Sequence, residues 1–257
     1  VASAMGEGDR KVALAAEGNS IPSPLQGQHI SLRYIVTPRR MYHKYYNVIC
    51  NPLLWFLQHY LWNSPYTPNI DSAVYDAWTT GYEAVNEAFA KAIIEEAQRL
   101  SSPPYIMLHD YHLYLTAKML REQLPKATIQ HFIHIPWPMP AYWQLLPAMM
   151  RCAIMEGLCA NDIVGFQSKR DALSFLLTAD EFLEGAEVDY TQRTIMHEGH
   201  QTLVRDYPIS IDVGELQHIA TSPRAQEYER MLRPLCNDYT IVRVDRAEPS
   251  KNIVRGF

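Results

Sequence analysis

Cysteine is scarce in this chain and spaced for neither of its usual structural tasks. Four occur in 257 residues, at Cys50, Cys152, Cys159 and Cys236, and none forms a C-x-x-C pair. That fits a reduced, cytosolic protein better than a disulfide framework. Basic runs are missing as well. Lys and Arg total 23 against 28 Asp and Glu, a formal net charge of -5. Nucleic-acid binding by charge alone is thereby excluded, while a few placed cations remain free to hold phosphate. No uninterrupted apolar stretch is long enough for a transmembrane helix. The opening VASAMGEGDRKVALAAEG has no initiator Met and no basic-then-apolar signal pattern. The closing KNIVRGF stops as a helix pattern begins, so both ends are expected to be cut from a larger protein. Internal repeats, low-complexity tracts and an H-E-x-x-H pair are all lacking.

What is present is a globular composition. Apolar residues make up 47% and charged residues 20%, enough for one large or two modest domains. Residues 6–28 read as loop with one short helix. His29–Val36 reads as a strand, and Thr37-Pro38 and Asn51-Pro52 as two helix starts. Asp71–Leu100 carries Val74, Ala77, Trp78, Val85, Ala88, Phe89, Ala92 and Ile93 at helical spacing. Ser101 to Pro104 ends that helix. The pattern then alternates: strand Tyr105–Leu108, helix Leu113–Gln123, strand Thr128–Ile133, helix Ala141–Leu158, strand Asp162–Phe166, helix Ser168–Leu177. Such alternation predicts an α/β fold, a Rossmann-like parallel sheet flanked by helices. A small hairpin is expected near 194–207, around Glu198-Gly199. Tyr239–Val244 reads as a further buried strand, with helix near Asn252, and the break near Pro234 as a domain boundary.

Two strand ends carry the densest polar chemistry. The first stops at His109-Asp110-Tyr111-His112 and the second at His134-Ile135-Pro136-Trp137-Pro138. Ligands of parallel α/β sheets bind beyond the carboxyl ends of the strands, so the two clusters define one rim of a site. An Asp there can accept hydrogen bonds from sugar hydroxyls. The imidazoles admit a metal reading. Against it, the spacing of His131 and His134 puts them on opposite faces of a strand. Strand capping is the plain structural alternative. Trp137, held by flanking prolines, reads as a sugar platform or, taken alone, more simply as core.

Three weaker signals lie elsewhere. In Val244-Asp245-Arg246-Ala247-Glu248-Pro249-Ser250-Lys251 a strand-like run ends in Arg, with Lys five residues on at a helix start. Two cations with free backbone N–H groups suit a diphosphate; a solvated turn with incidental charges is the alternative. Tyr46 and Trp55 sit in YYNVICNPLLW, where an aromatic helix face packed in the core is the ordinary reading. Gly165 in DIVGFQ permits close backbone approach at a strand end.

In order along the chain, YYNxxxNxxLW, HDYHL, HIPWP, DIVGFQ, YPISID and VDRAEPSKN resemble the trehalose-6-phosphate synthase family. These are retaining glycosyltransferases of the GT-B fold, and the likeness runs from about Tyr45 to the end. It implies an acceptor-side domain over 1–235, incomplete at its start, and the opening of a donor nucleotide-binding domain over 236–257. It also implies glucose transfer from a nucleotide-glucose donor (UDP- or GDP-glucose) to glucose 6-phosphate. Tyr46, Trp55 and Asp110 match positions that bind the acceptor, and His134, Arg246 and Lys251 those that bind the donor. Asp110, His134, Arg246 and Lys251 form the implied catalytic set. Neither a metal nor a cofactor is expected beyond the nucleotide sugar itself.

In such chemistry negative charge grows on the leaving phosphate, where Arg and Lys stabilise it. Retention by front-face attack needs no enzymic nucleophile, unlike the two-carboxylate glycosidase scheme. The family's Gly-rich donor loop has no match here, and Ala247-Glu248-Pro249 replaces its usual Leu-Asp-Tyr. The isolated chain is therefore expected to be weakly active or inactive. Related readings are a glucosylglycerol-phosphate synthase, a pseudo-glycosyltransferase coupling cyclitols, and a non-catalytic sugar-phosphate-binding homologue. A metallohydrolase using the His clusters is the rival of a different class. Expected partners are the two substrates, without nucleic acid or membrane; self-association stays open.

Overall fold

The structure is a computed structural model and describes residues 1–25, 27, 29–62 and 69–256. It divides into two compact units, Val1–Tyr207 and Pro208–Phe257. The loop reading at positions 26 and 28 lies outside the described residues.

The first unit is built on a six-stranded mixed sheet. Its order across the sheet is Tyr105–His109, Thr128–Ile133, Ile163–Phe166, His200–Asp206, Thr194–His197 and Glu187–Asp189. The first four run parallel and the last two antiparallel. The alternating strand and helix signals account for the parallel part. In Thr128–Ile133, Ile129, His131 and Ile133 point into the core, while the residues between them are at least partly exposed. The expected hairpin forms, because Glu198 (φ 49°) and Gly199 (φ 77°) both take left-handed backbone suited to a two-residue turn. Glu187–Asp189, too short to register as a strand by pattern, extends the sheet beyond that hairpin.

Helices cover the sheet where their apolar stripes dictate. Ser168 caps Lys169–Phe182 by accepting from Asp171 N at 3.1 Å. Asp71 caps the next long helix, accepting from Ala73 N at 2.9 Å and Val74 N at 3.1 Å. That helix runs Ser72–Ala77, passes through a π-helical segment, Trp78–Glu83, and continues as Ala84–Ala97. The expected Ala141–Leu158 helix is instead two, Pro140–Trp143 and Ala148–Leu158, with Pro147 extended between them. Proline's missing N–H and the steric restriction it imposes explain the break.

Asn51-Pro52 starts no new helix. Arg39–His43, the π-helical Lys44–Trp55 and Phe56–Gln58 form one run with Pro52 inside it. Tyr45, Ile49, Leu53 and Leu57 are all buried at four-residue intervals, so one apolar stripe crosses the proline. Burying that stripe, on the order of 2 kcal/mol per large side chain, outweighs the local cost of the proline. The predicted His29–Val36 strand breaks into Ser31–Leu32 and Tyr34–Ile35. These pair with Ile21–Pro22 and Ala2–Ser3 in two separate small sheets. Glu7–Ala15 is the short helix expected in the opening segment.

The second unit contains helices Val213–Ala220 and Pro223–Leu232 and short 3₁₀ turns. The strand expected at Tyr239–Val244 does not form; Tyr239, Ile241 and Val244 are each more than nine-tenths exposed. A lone strand has no neighbour to satisfy its backbone groups, and no other strand occurs among the described residues of this unit. The helix expected near Asn252 is reduced to Pro249–Lys251 and Ile253–Gly256, interrupted by Asn252 at φ 49°.

Candidate functional site

Asp110 and His134 meet at the carboxyl edge of the parallel sheet. Their strands are neighbours in register, with His109 opposite Phe132. Asp110 N donates to Phe132 O at 2.8 Å, continuing the ladder one residue past the strand. The Asp110 carbonyl accepts from His131 Nε2 at 2.9 Å. Its backbone then turns into the left-handed region at φ 65°, which costs a non-glycine residue energy. That turn leaves Oδ1 to accept from the His134 backbone N–H at 3.3 Å. The two predicted residues are thus joined directly.

His131 is the support beneath them. It is fully buried, and its Nδ1 has no hydrogen-bond partner. A carbonyl can only accept, so Nε2 carries the hydrogen and Nδ1 stays bare. Burial pushes its pKa down to about 4. His131 therefore belongs to the scaffold, and His134 is exposed at the tip of the same strand. Among the described residues no group of three or more His, Cys, Asp or Glu side chains is placed to hold a metal ion.

Aromatic residues wall one side. Tyr46 stacks on His112 with centroids 5.7 Å apart, and His112 stacks on Tyr111 at 4.1 Å. The Tyr111 hydroxyl donates to Asn51 Oδ1 at 2.9 Å. Tyr46 is thereby tied to the segment carrying Asp110. Burial also lowers the pKa of His112. Trp55, nine residues along the same helix run, instead packs on His59 at 4.2 Å and Phe56 at 5.7 Å. Both Tyr46 and Trp55 remain partly exposed.

Trp137 is core and offers no sugar platform. It is 1% exposed and rings Tyr114, Trp143, Phe166 and Phe175 surround it. Its Nε1 donates to Thr178 Oγ1 at 3.0 Å. Gly165 does admit a close approach, but by side chains: a Cβ there would stand 2.9 Å from the Phe132 ring and 3.1 Å from Tyr207.

Arg246 and Lys251 belong to the second unit. Both turn to Glu248 Oε1, at 3.3 Å and 3.5 Å, and Ser250 Oγ donates to the same oxygen at 2.7 Å. The Ser250 hydroxyl first, and then the two cations, hold Glu248 below the usual carboxylate range. One carboxylate thus gathers the two predicted diphosphate ligands within their own turn.

The sequence reading passed over two participants. Asn51, which fixes Tyr111, stands in the YYNxxxNxxLW motif and in a helix-start signal, neither of which names a site role for it. His109 lies in the first polar cluster without a site role of its own in the sequence reading; its Nδ1 lies 3.1 Å from His134 Nε2. Its signal was position, as the last residue of a strand adjacent to one ending beside His134.

A Rossmann-like sheet with an Asp–His pair at its carboxyl edge defines the class of fold: an α/β protein whose candidate site lies where ligands of parallel sheets bind. The sequence profile of glycosyltransferase family 20 matches residues 10–257, and the chain belongs to that family. It is 31% identical over 210 residues to a validamine 7-phosphate valienyltransferase from Streptomyces hygroscopicus subsp. jinggangensis, covering 81% of this chain and 42% of that protein. It is 30% identical over 216 residues to a trehalose-6-phosphate synthase from Escherichia coli O1:K1, covering 83% and 42%. Among solved structures, an E. coli trehalose-6-phosphate structure bound with UDP-2-fluoro glucose superposes with a TM-score of 0.67 at 25% identity, covering 84% of this chain and 44% of that one. The chain thus spans less than half the length of these relatives. No helix among the described residues is long and apolar enough to cross a membrane.

Proposed function

We propose that the chain is the acceptor-side portion of a glucosyltransferase that moves glucose, with retention, from a nucleotide-glucose donor to glucose 6-phosphate, giving trehalose 6-phosphate. The observation that carries this reading is the Asp110–His134 junction at the carboxyl edge of two neighbouring parallel strands. Asp110 accepts from an acceptor hydroxyl, while His134 faces the donor glucose. Tyr46 and Trp55 flank the sugar phosphate. Arg246 and Lys251, in the opening of a donor domain over 236–257, release Glu248 and take the leaving diphosphate, offsetting its growing charge. The departing phosphate oxygen receives the acceptor's proton, so the protein supplies no nucleophile.

Likeness to the valienyltransferase supports a second reading, in which the acceptor is a cyclitol phosphate. A donor-by-acceptor screen of the full-length protein separates the two. Nucleotide release from UDP- or GDP-glucose that depends on glucose 6-phosphate supports the first. Release that depends only on an aminocyclitol phosphate replaces it with the second, and no release with any pairing defeats both.

A further inference from the structure

We infer that His109 is a positioning residue for His134, an inference that rests on the donor-side role proposed for His134. His109 Nδ1 and His134 Nε2 stand 3.1 Å apart, with ring centroids at 5.3 Å. Two imidazole nitrogens at that distance hold one proton between them, whichever ring carries it. In both arrangements His134 Nε2 is committed to His109, and Nδ1 is the nitrogen that a sugar hydroxyl meets.

Two further contacts make the arrangement specific. The His134 backbone N–H is held by Asp110 Oδ1 at 3.3 Å. The His134 ring meets Phe132 edge-on at 4.8 Å. Backbone, ring plane and one ring nitrogen are therefore each fixed by a different neighbour. His109 is itself placed by the strand register, which sets it opposite Phe132 and so diagonal to His134 on the same sheet face. Two other titratable groups border the pair, the Asp110 carboxylate and the buried, neutral His131. Both bond to the backbone here, leaving His109 as the ring's polar side-chain partner. Second-neighbour imidazole contacts of this kind set which nitrogen a histidine presents.

The test uses the full-length protein with His109→Ala, His109→Asn, His134→Ala and the His109→Ala/His134→Ala double variant. Loss of one such hydrogen bond corresponds to about tenfold in rate. His109→Ala is expected to lower kcat/KM for the nucleotide sugar about tenfold while leaving the sugar-phosphate KM unchanged. His109→Asn, whose amide can reach the same partner, recovers most of the loss. In the His134→Ala background, His109→Ala has no further effect. Multiplying losses in the double variant, or no rescue by Asn, overturns the inference.

Nitrogen NMR of the histidine rings in the same protein without substrates reads the pair independently of the reaction. A single His134 tautomer that becomes a mixture in His109→Ala supports the pairing; an unchanged tautomer refutes it. If His134→Ala leaves donor kinetics untouched, the donor-side reading fails, and the ring spectra still decide whether His109 orients His134.

Discussion

Asp110 holds four bonds at once, one through its N–H, two through its carbonyl, which accepts from His131 Nε2 and from the Leu113 N–H, and one through its carboxylate, and does so from a left-handed backbone. Asp110→Asn keeps the shape and one oxygen but removes the charge. It is expected to cut turnover at least tenfold, with an unchanged melting temperature; equal kcat would take Asp110 out of the chemistry. His131 makes the opposite kind of prediction, on stability. Its ordinary pKa near 6.5 falls to about 4 in the fold. Below pH 6.5 the unfolded chain binds a proton that the native state refuses. Stability is therefore complete above pH 6.5 and lost as pH falls toward 4, by an amount on the order of 3 kcal/mol. His112, also lowered by burial, adds with the same sign. Urea unfolding at pH 7 and pH 4.5 measures the slope, and His131→Gln should flatten it. A profile unaltered by that substitution would contradict the assignment.

At the scale of elements, the sequence told most about regions where one residue pattern maps to one structure. Thr128–Ile133 and the 194–207 hairpin follow directly from alternation and from Glu198-Gly199. Proline was harder to read. Pro147 separates two helices, while Pro52 lies within one, because the stripe from Tyr45 to Leu57 continues across it. Local signals cannot weigh that burial. Likewise Tyr239–Val244 has strand chemistry without a partner strand. For the site, Asp110 and His134 were legible as residues, but their contact depends on strand register, and His109 gained its role only from that register. Packing gives its own prediction. A Cβ on Gly157 would press into the Tyr114 carbonyl and the Leu115 Cα, both backbone and unable to swing aside. Gly157→Ala is expected to cost about 1–3 kcal/mol, read as a lowered denaturation midpoint; a neutral result would mean that the Ala148–Leu158 helix can shift freely.

At the scale of the whole molecule, the predicted site residues are divided between two units. Asp110, His134, Tyr46 and Trp55 belong to Val1–Tyr207, and Arg246 and Lys251 to Pro208–Phe257. The relatives are more than twice as long as the stretch matched here. The central claim, that Arg246 serves a leaving diphosphate, is tested most directly in the full-length protein by comparing kcat of Arg246→Ala with wild type at saturating nucleotide-glucose and glucose 6-phosphate. The account predicts a fall of about 10²-fold or more, the scale of losing one transition-state charge partner. An unchanged kcat would contradict it.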